Sequence, residues 1–109
     1  DIWRDQDGHE VEGLSNLADS CLFDVFDREI LAGDPKKALG EWGGLMVSRS
    51  FAEKLGGIEN IVGKQICNIQ MPDLLLTVKG VYEDFPKNGT IPYDVLISLE
   101  TYSKQSTEN

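Results

Sequence analysis

The chain has 109 residues, 40% of them hydrophobic and 27% charged, which suits one small folded domain with one core rather than a disordered segment. Ten Lys and Arg stand against nineteen Asp and Glu, a net charge of −9, which argues against nucleic acid and anionic lipid as partners and is read as solubility. No apolar run reaches the ~20 residues of a membrane span, and the chain opens at Asp1 without a leader pattern, so it reads as a mature or excised piece that could equally derive from a tethered protein.

Residues 1–10 are polar apart from Ile2 and Trp3, which predicts an irregular start with a turn at Asp7-Gly8. His9 lies among Asp5, Asp7 and Glu10, but the spacing matches no metal-binding loop, and a solvated segment is expected there. Val11–Ala18 reads as a strand with imperfect alternation. Asp19 or Ser20 then offers an N-cap to a short helix, Cys21–Phe26, whose Leu22, Phe23 and Phe26 share one apolar face. Ile30 and Leu31 continue the burial, Gly33-Asp34-Pro35 makes a turn, and Pro35 opens another helical turn from its first position. Cys21 and Cys67 are too few for a disulfide framework and are expected reduced and at least partly buried; neither sits in a CxxC or Cys/His cluster, so no zinc is expected.

Gly40 to Gly44 is a loose segment containing Trp42, which is either an exposed partner contact or a lid folded over the core. Leu45-Met46-Val47 predicts a short buried strand. Ser48 caps the helix that follows, with Ser50 as a rival start because Ser50 and Glu53 have capping-box spacing. Phe51, Ala52 and Leu55 form the apolar stripe of that helix, and Gly56-Gly57 ends it. Gly57–Lys64 imitates a phosphate loop but fails as one: five residues separate the glycines, Gln65 stands where Ser or Thr would hold magnesium, and a helix precedes it. A turn at Gly63 leading into a strand, 64–70, is expected instead.

The longest β-prone run is Leu74–Phe85. Leu74, Leu76 and Val78 alternate onto one face, and Gly80 stands where a bulge would switch the faces, so that Val81 replaces Val78 as the buried member. Met71-Pro72-Asp73 turns the preceding strand back into it as a hairpin, and Pro86 ends it. Lys87–Thr90 is a second turn, with an N-glycosylation pattern at Asn88-Gly89-Thr90, and Tyr93–Leu99 is the last strand; 101–109 reads as frayed. The paired carboxylates Glu83-Asp84 lie side by side on a strand end, where neighbours point to opposite faces, so they are poorly placed to share a substrate. With one histidine near the terminus and Ser48 committed to capping, no nucleophile, base and oxyanion site converge, and no catalytic residue, cofactor or metal is expected.

Four stretches in series resemble one family. Ala18–Phe26 followed by Ile30–Pro35 resembles the Phe-pair, leucine and Gly-Asp segment of the MacB-like periplasmic core domain; Val47-Ser48 through Ala52–Gly56 resembles its next helix; Ile61–Lys64 its Pro-Ile-Gly-Lys turn; and Thr77–Pro86 its Val-x-Gly-Val-x-x-Asp-x-Pro strand. Order and spacing agree over about residues 18–99. Leu22 replaces the first Phe of the pair, Arg28 stands where the family tends to have an apolar or aromatic residue, and Pro72 and Asp73 shorten the hairpin. The resemblance implies an α+β fold, a small mixed sheet with a C-terminal hairpin and two or three short helices. It implies a non-catalytic domain on the periplasmic face of the bacterial inner membrane, within an ABC transporter permease of the FtsX/MacB type. Such a domain relays motion driven by a cytoplasmic ATPase on another chain or domain, and in some members meets a periplasmic adaptor protein. The 109 residues would form part of that domain, an N-terminal portion completing the sheet. The rival expectation is a free-standing periplasmic module that binds a small molecule or peptide.

Overall fold

A computed structural model describes residues 1–25, 29–84 and 93–101. Expectations for Phe26, Pro86, the turn and glycosylation pattern at 87–90, and 102–109 lie outside the described residues. The elements run β1 (Ile2–Asp5), β2 (Glu10–Glu12), β3 (Ser15–Ala18), α1 (Leu22–Val25), β4 (Ile30–Gly33), α2 (Pro35–Gly40), β5 (Gly44–Ser48), α3 (Arg49–Lys54), α4 (Ile58–Ile61), β6 (Gln65–Asn68), β7 (Leu76–Tyr82) and β8 (Val95–Ser98). The strands form one mixed sheet in the order β2-β1-β6-β7-β5-β8-β3, with β4 also paired to β7. The fold is α+β, with short helices α1 to α4 packed on the sheet among the described residues.

Strand β7 is the hub. Its first residues pair with β6 as the expected antiparallel hairpin, Gln65 opposite Thr77 and Ile66 opposite Leu76. Its last residues pair antiparallel with β4, and β5 runs parallel along its other edge. The β5 register jumps from Leu45 opposite Val78 to Met46 opposite Gly80, so Lys79 is the extra residue of a bulge. That bulge does what the sequence predicts. Leu76, Val78 and then Val81 face one core cluster, while Tyr82 faces the other. Gly80 is obligatory here, because a Cβ would run into Met46 Sδ and the carbonyl oxygen of Ala32.

Alternation on β5 and β8 builds a core on each side of the sheet. Leu45, Val47, Val95 and Ile97 join Trp3, Ile66 and the α3 residues Phe51 and Ala52, with Leu55 and the α4 residue Ile61. Met46 and Leu96 face the opposite way, to Ala38 and Leu39 of α2, with Leu22 and Phe23 of α1 packed against them. Every residue of β5 and β8 is therefore buried. The Ser48 cap is as expected: Ser48 Oγ, not Ser50, accepts from Phe51 N–H at 3.2 Å. Asp34, read from the sequence only as part of a turn, also caps, its carboxylate accepting from Lys36 N–H ahead of Pro35.

The N-terminal ten residues correct the sequence reading: they are a β-hairpin, not an irregular start. Burial of Trp3, 1% exposed, holds β1 in the sheet between β2 and β6, and the turn falls at Asp7-Gly8, Gly8 having φ 89°. The single strand expected over 11–18 divides into β2 and β3, because Gly13-Leu14 carries the chain from one edge of the sheet to the other. Ile30 and Leu31 belong to β4, and a helical turn, α4, occupies most of the stretch ahead of Gly63. Cys67 is buried and Cys21 is exposed, so the expectation that both are covered fails for Cys21; both are free thiols.

Candidate functional site

The register brings most of the exposed apolar side chains to one end of the sheet. Strands β5, β7 and β1 start there; β3, β6 and β8 finish there. Trp42 stands just before β5, in the turn closed by a hydrogen bond from Gly44 N–H to Glu41 O. Its neighbour Gly43 is fixed on both sides, its N–H donating to Thr101 Oγ1 at 2.8 Å and its carbonyl accepting from Thr77 N–H at 2.8 Å. Trp42 is therefore presented by a clamped turn, 44% exposed rather than folded over the core. The same end carries Leu17, Ile69, Met71, Leu75 and Leu99, each more than a third exposed. Leu14 and Val62 are the other large apolar residues of comparable exposure among those described, and both lie towards the opposite end. Gathered apolar side chains rimmed by polar groups mark interaction surfaces, whereas scattered ones need no explanation.

An open cleft of about 320 Å³ also lies here, lined by Asp1, Ser15, Asn16, Leu17, Asn68 and Ile97. Leu17 and Ile97 are register partners and share a face. Asn68 faces them from β6, beside its cross-strand neighbour Trp3, whose buried Nε1 has no hydrogen-bond partner among the described residues. The Ser15 hydroxyl donates to the Asp1 carboxylate at 2.5 Å. Beside Trp42, Lys79 Nζ lies 2.6 Å from Glu41 Oε1, and that hydrogen bond and charge hold the Glu41 carboxyl below its usual range.

The opposite end is closed by polar pairs. Glu83 accepts from Arg49 Nη1 at 3.1 Å, and Asp84 accepts from both the N–H and the hydroxyl of Ser50. The two carboxylates thus both reach the first turn of α3 instead of diverging, because the strand has already ended at Tyr82. Their work there is to anchor that turn. Tyr82 donates to the carbonyl of Tyr93 at 2.8 Å; burial, with the Asp94 and Asp84 charges, drives its phenol pKa far upwards.

Asp5, Asp7 and His9 do approach one another at this end. Asp5, however, is committed to the hairpin turn, accepting from the N–H groups of Asp7 at 3.0 Å and His9 at 2.9 Å, with the His9 ring at 3.2 Å and Lys64 Nζ at 3.8 Å. Burial would push this carboxyl up, but the His9 and Asp7 hydrogen bonds and the His9 charge outweigh it and hold it below its ordinary value. The arrangement is a satisfied buried carboxylate with a lysine beside it, which disfavours a cation. The sequence missed the role of Asp5 because its signal, a carboxylate two residues before Asp7-Gly8, looks like any polar terminus.

Neither a protein-family model nor a curated protein matches the chain. Among solved structures it is similar to a domain of a candidate permease protein from Porphyromonas gingivalis, at 30% identity and a TM-score of 0.81 over 90% of this chain. The match spans 45% of that chain, so the 109 residues correspond to less than half of it. Among the described residues no helix is long and apolar enough to cross a membrane. The chain has the fold of a permease domain.

Proposed function

We propose that this is an extracytoplasmic, non-catalytic domain of an ABC transporter permease of the FtsX/MacB type, meeting the rest of its transporter through the Trp42 end of the sheet. The observation that carries the reading is the likeness to a permease domain over nine-tenths of the chain at 30% identity. The unfinished apolar end supports it, since a domain that relays motion needs a surface on which force is transmitted. The domain supplies that surface and a stiff frame, for β5 and β7 run side by side through both cores. ATP hydrolysis belongs to a cytoplasmic ATPase on another chain or domain, and a periplasmic adaptor is a further partner of this kind of domain.

The test is made on the source cells. An antibody to these residues, used on fractionated membranes, should find a band far larger than 12.1 kDa that resists alkaline extraction and is shielded from protease until the outer envelope is opened. A soluble band near the size of the chain would overturn the permease reading. The rival, a free-standing ligand-binding module, rests on the open cleft alone; saturable thermal shifts with a small-molecule or peptide panel would then favour it.

A further inference from the structure

Asp5, Ser48, Ser98 and Thr101 are the buried small polar side chains among the described residues. Asp5 and Ser48 serve the turn and the helix next to them in sequence. Ser98 and Thr101, both 0% exposed, reach much further. Ser98 Oγ donates to the Leu39 carbonyl at 2.8 Å, 59 positions back, and Thr101 Oγ1 accepts from Gly43 N–H at 2.8 Å, 58 positions back. The two contacts grip the last turn of α2 and the approach to β5, on either side of Trp42. Ser98 Oγ also accepts from Glu100 N–H at 3.2 Å, so residues 98–101 are held as one unit. A hydroxyl taken out of water costs free energy unless it is bonded, so simple filling would favour apolar side chains at both positions.

Trp42 does not hold its own turn. It is 44% exposed, and the local bond from Gly44 N–H to Glu41 O is 3.3 Å long. The turn is tight, with Gly43 at φ 76° and no room at Gly44 for a side chain, which would collide with the Ala38 carbonyl oxygen. On one side Gly43 O accepts from Thr77 N–H and Glu41 pairs with Lys79, both on β7 in the middle of the sheet. On the other side are the residues that close β8. The Trp42 turn therefore hangs between β7 and the end of β8.

We infer that Ser98 and Thr101 are positioning residues that tie the presentation of Trp42 to the end of β8, so that a displacement of residues 98–101 is passed to Trp42 through two buried hydroxyls. Hydrogen-bonded, packed elements carry such coupling. Without the Thr101 hydroxyl, Gly43 N–H loses its acceptor inside the fold, and the turn moves to find another. Neither hydroxyl needs to touch a partner; both act through Trp42. The link has a use only if Trp42 is the contact surface proposed above, and it rests on that reading.

Fluorine NMR of the full-length protein carrying 5-fluorotryptophan tests the link, with the Trp42 signal assigned by Trp42→Phe and amide exchange followed at Gly43. Thr101→Val removes the hydroxyl at nearly constant volume. It should shift or broaden the Trp42 signal, leave the signal of buried Trp3 in place, and speed exchange at Gly43 on the order of 10-fold. Thr101→Ser keeps the hydroxyl and should restore both readouts. Ser98→Ala should move Trp42 in the same sense by less, and it carries the test if Thr101→Val fails to fold. Ser48→Ala, which removes a buried hydroxyl at the other end of the sheet, should leave the Trp42 signal where it was. A Trp42 signal unmoved by Thr101→Val and Ser98→Ala, moved as far by Ser48→Ala, or not restored by Thr101→Ser would overturn the link. The two readings fail separately. A full-length protein that fractionates as soluble while Thr101→Val still moves Trp42 refutes the permease and upholds the link. A membrane-embedded protein whose Trp42 ignores both substitutions refutes the link alone.

Discussion

The two ends of this sheet contrast a finished surface with an unfinished one. Where α3 begins, the polar groups are used locally. Ser48 caps the helix, Asp84 and Glu83 bind its first turn, and Asp5 closes the β1–β2 hairpin. At the other end a clamped turn holds Trp42 outward and strand ends leave Leu17, Leu75 and Leu99 partly bare. A rigid turn that displays a tryptophan makes physical sense when something packs on it. The difference teaches where to look for stability and where for contact, and substitutions at the two ends should separate accordingly.

The largest effect belongs to the finished end. Phe51→Ala empties the space between α3 and the sheet, where Phe51 is 1% exposed, and should cost about 4 kcal/mol in denaturant unfolding, enough to threaten folding outright. Asp5→Ala should cost about 2 kcal/mol, because the N–H groups of Asp7 and His9 lose their acceptor. Its pH signature is specific. The folded carboxyl titrates below its ordinary 3.8, so its contribution is complete above that value and is lost as the pH falls through the lower, folded one. In wild type, acid unfolding below about pH 4 should therefore be steeper than in Asp5→Ala; identical acid limbs would contradict the assignment. Ser48→Ala and Asp84→Ala should each remove about 1 kcal/mol, read as a lower denaturant midpoint at unchanged slope. The smallest effect on stability is the most telling for function. Trp42→Ala should stay within about 0.5 kcal/mol of wild type while weakening association with the rest of the proposed transporter. A large loss of stability in that variant would turn Trp42 into a core lid and erase the contrast.

Much of the fold is legible in local sequence. The Gly80 bulge, the Ser48 cap, the helix start at Pro35 and the β6–β7 hairpin each follow from one or two residues whose backbone demands are specific. What the sequence leaves hidden is non-local. Trp3 reads as a stray aromatic in a polar terminus until β6 is placed beside it, and Ile30-Leu31 as generic burial until β7 accepts β4. The candidate site is hidden for the same reason. Trp42 stands out alone in its glycine-rich segment, but Leu17, Leu75 and Leu99 join it only through the strand register, although Leu17 and Leu99 lie near opposite ends of the chain. Glu83 and Asp84 read as divergent only if a strand continues through them, and β7 ends one residue earlier.

The most direct test places a photo-crosslinking amino acid at position 42, and separately at Glu53 near the opposite end, in the full-length protein within its own cells. If the domain works in the proposed permease, crosslinks are expected from position 42, within the permease chain or to another transporter component, that vanish when the ATPase is locked in one nucleotide state, with little from position 53. Equal crosslinking at both positions, or at 53 alone, would contradict the Trp42 end as the surface through which this domain works.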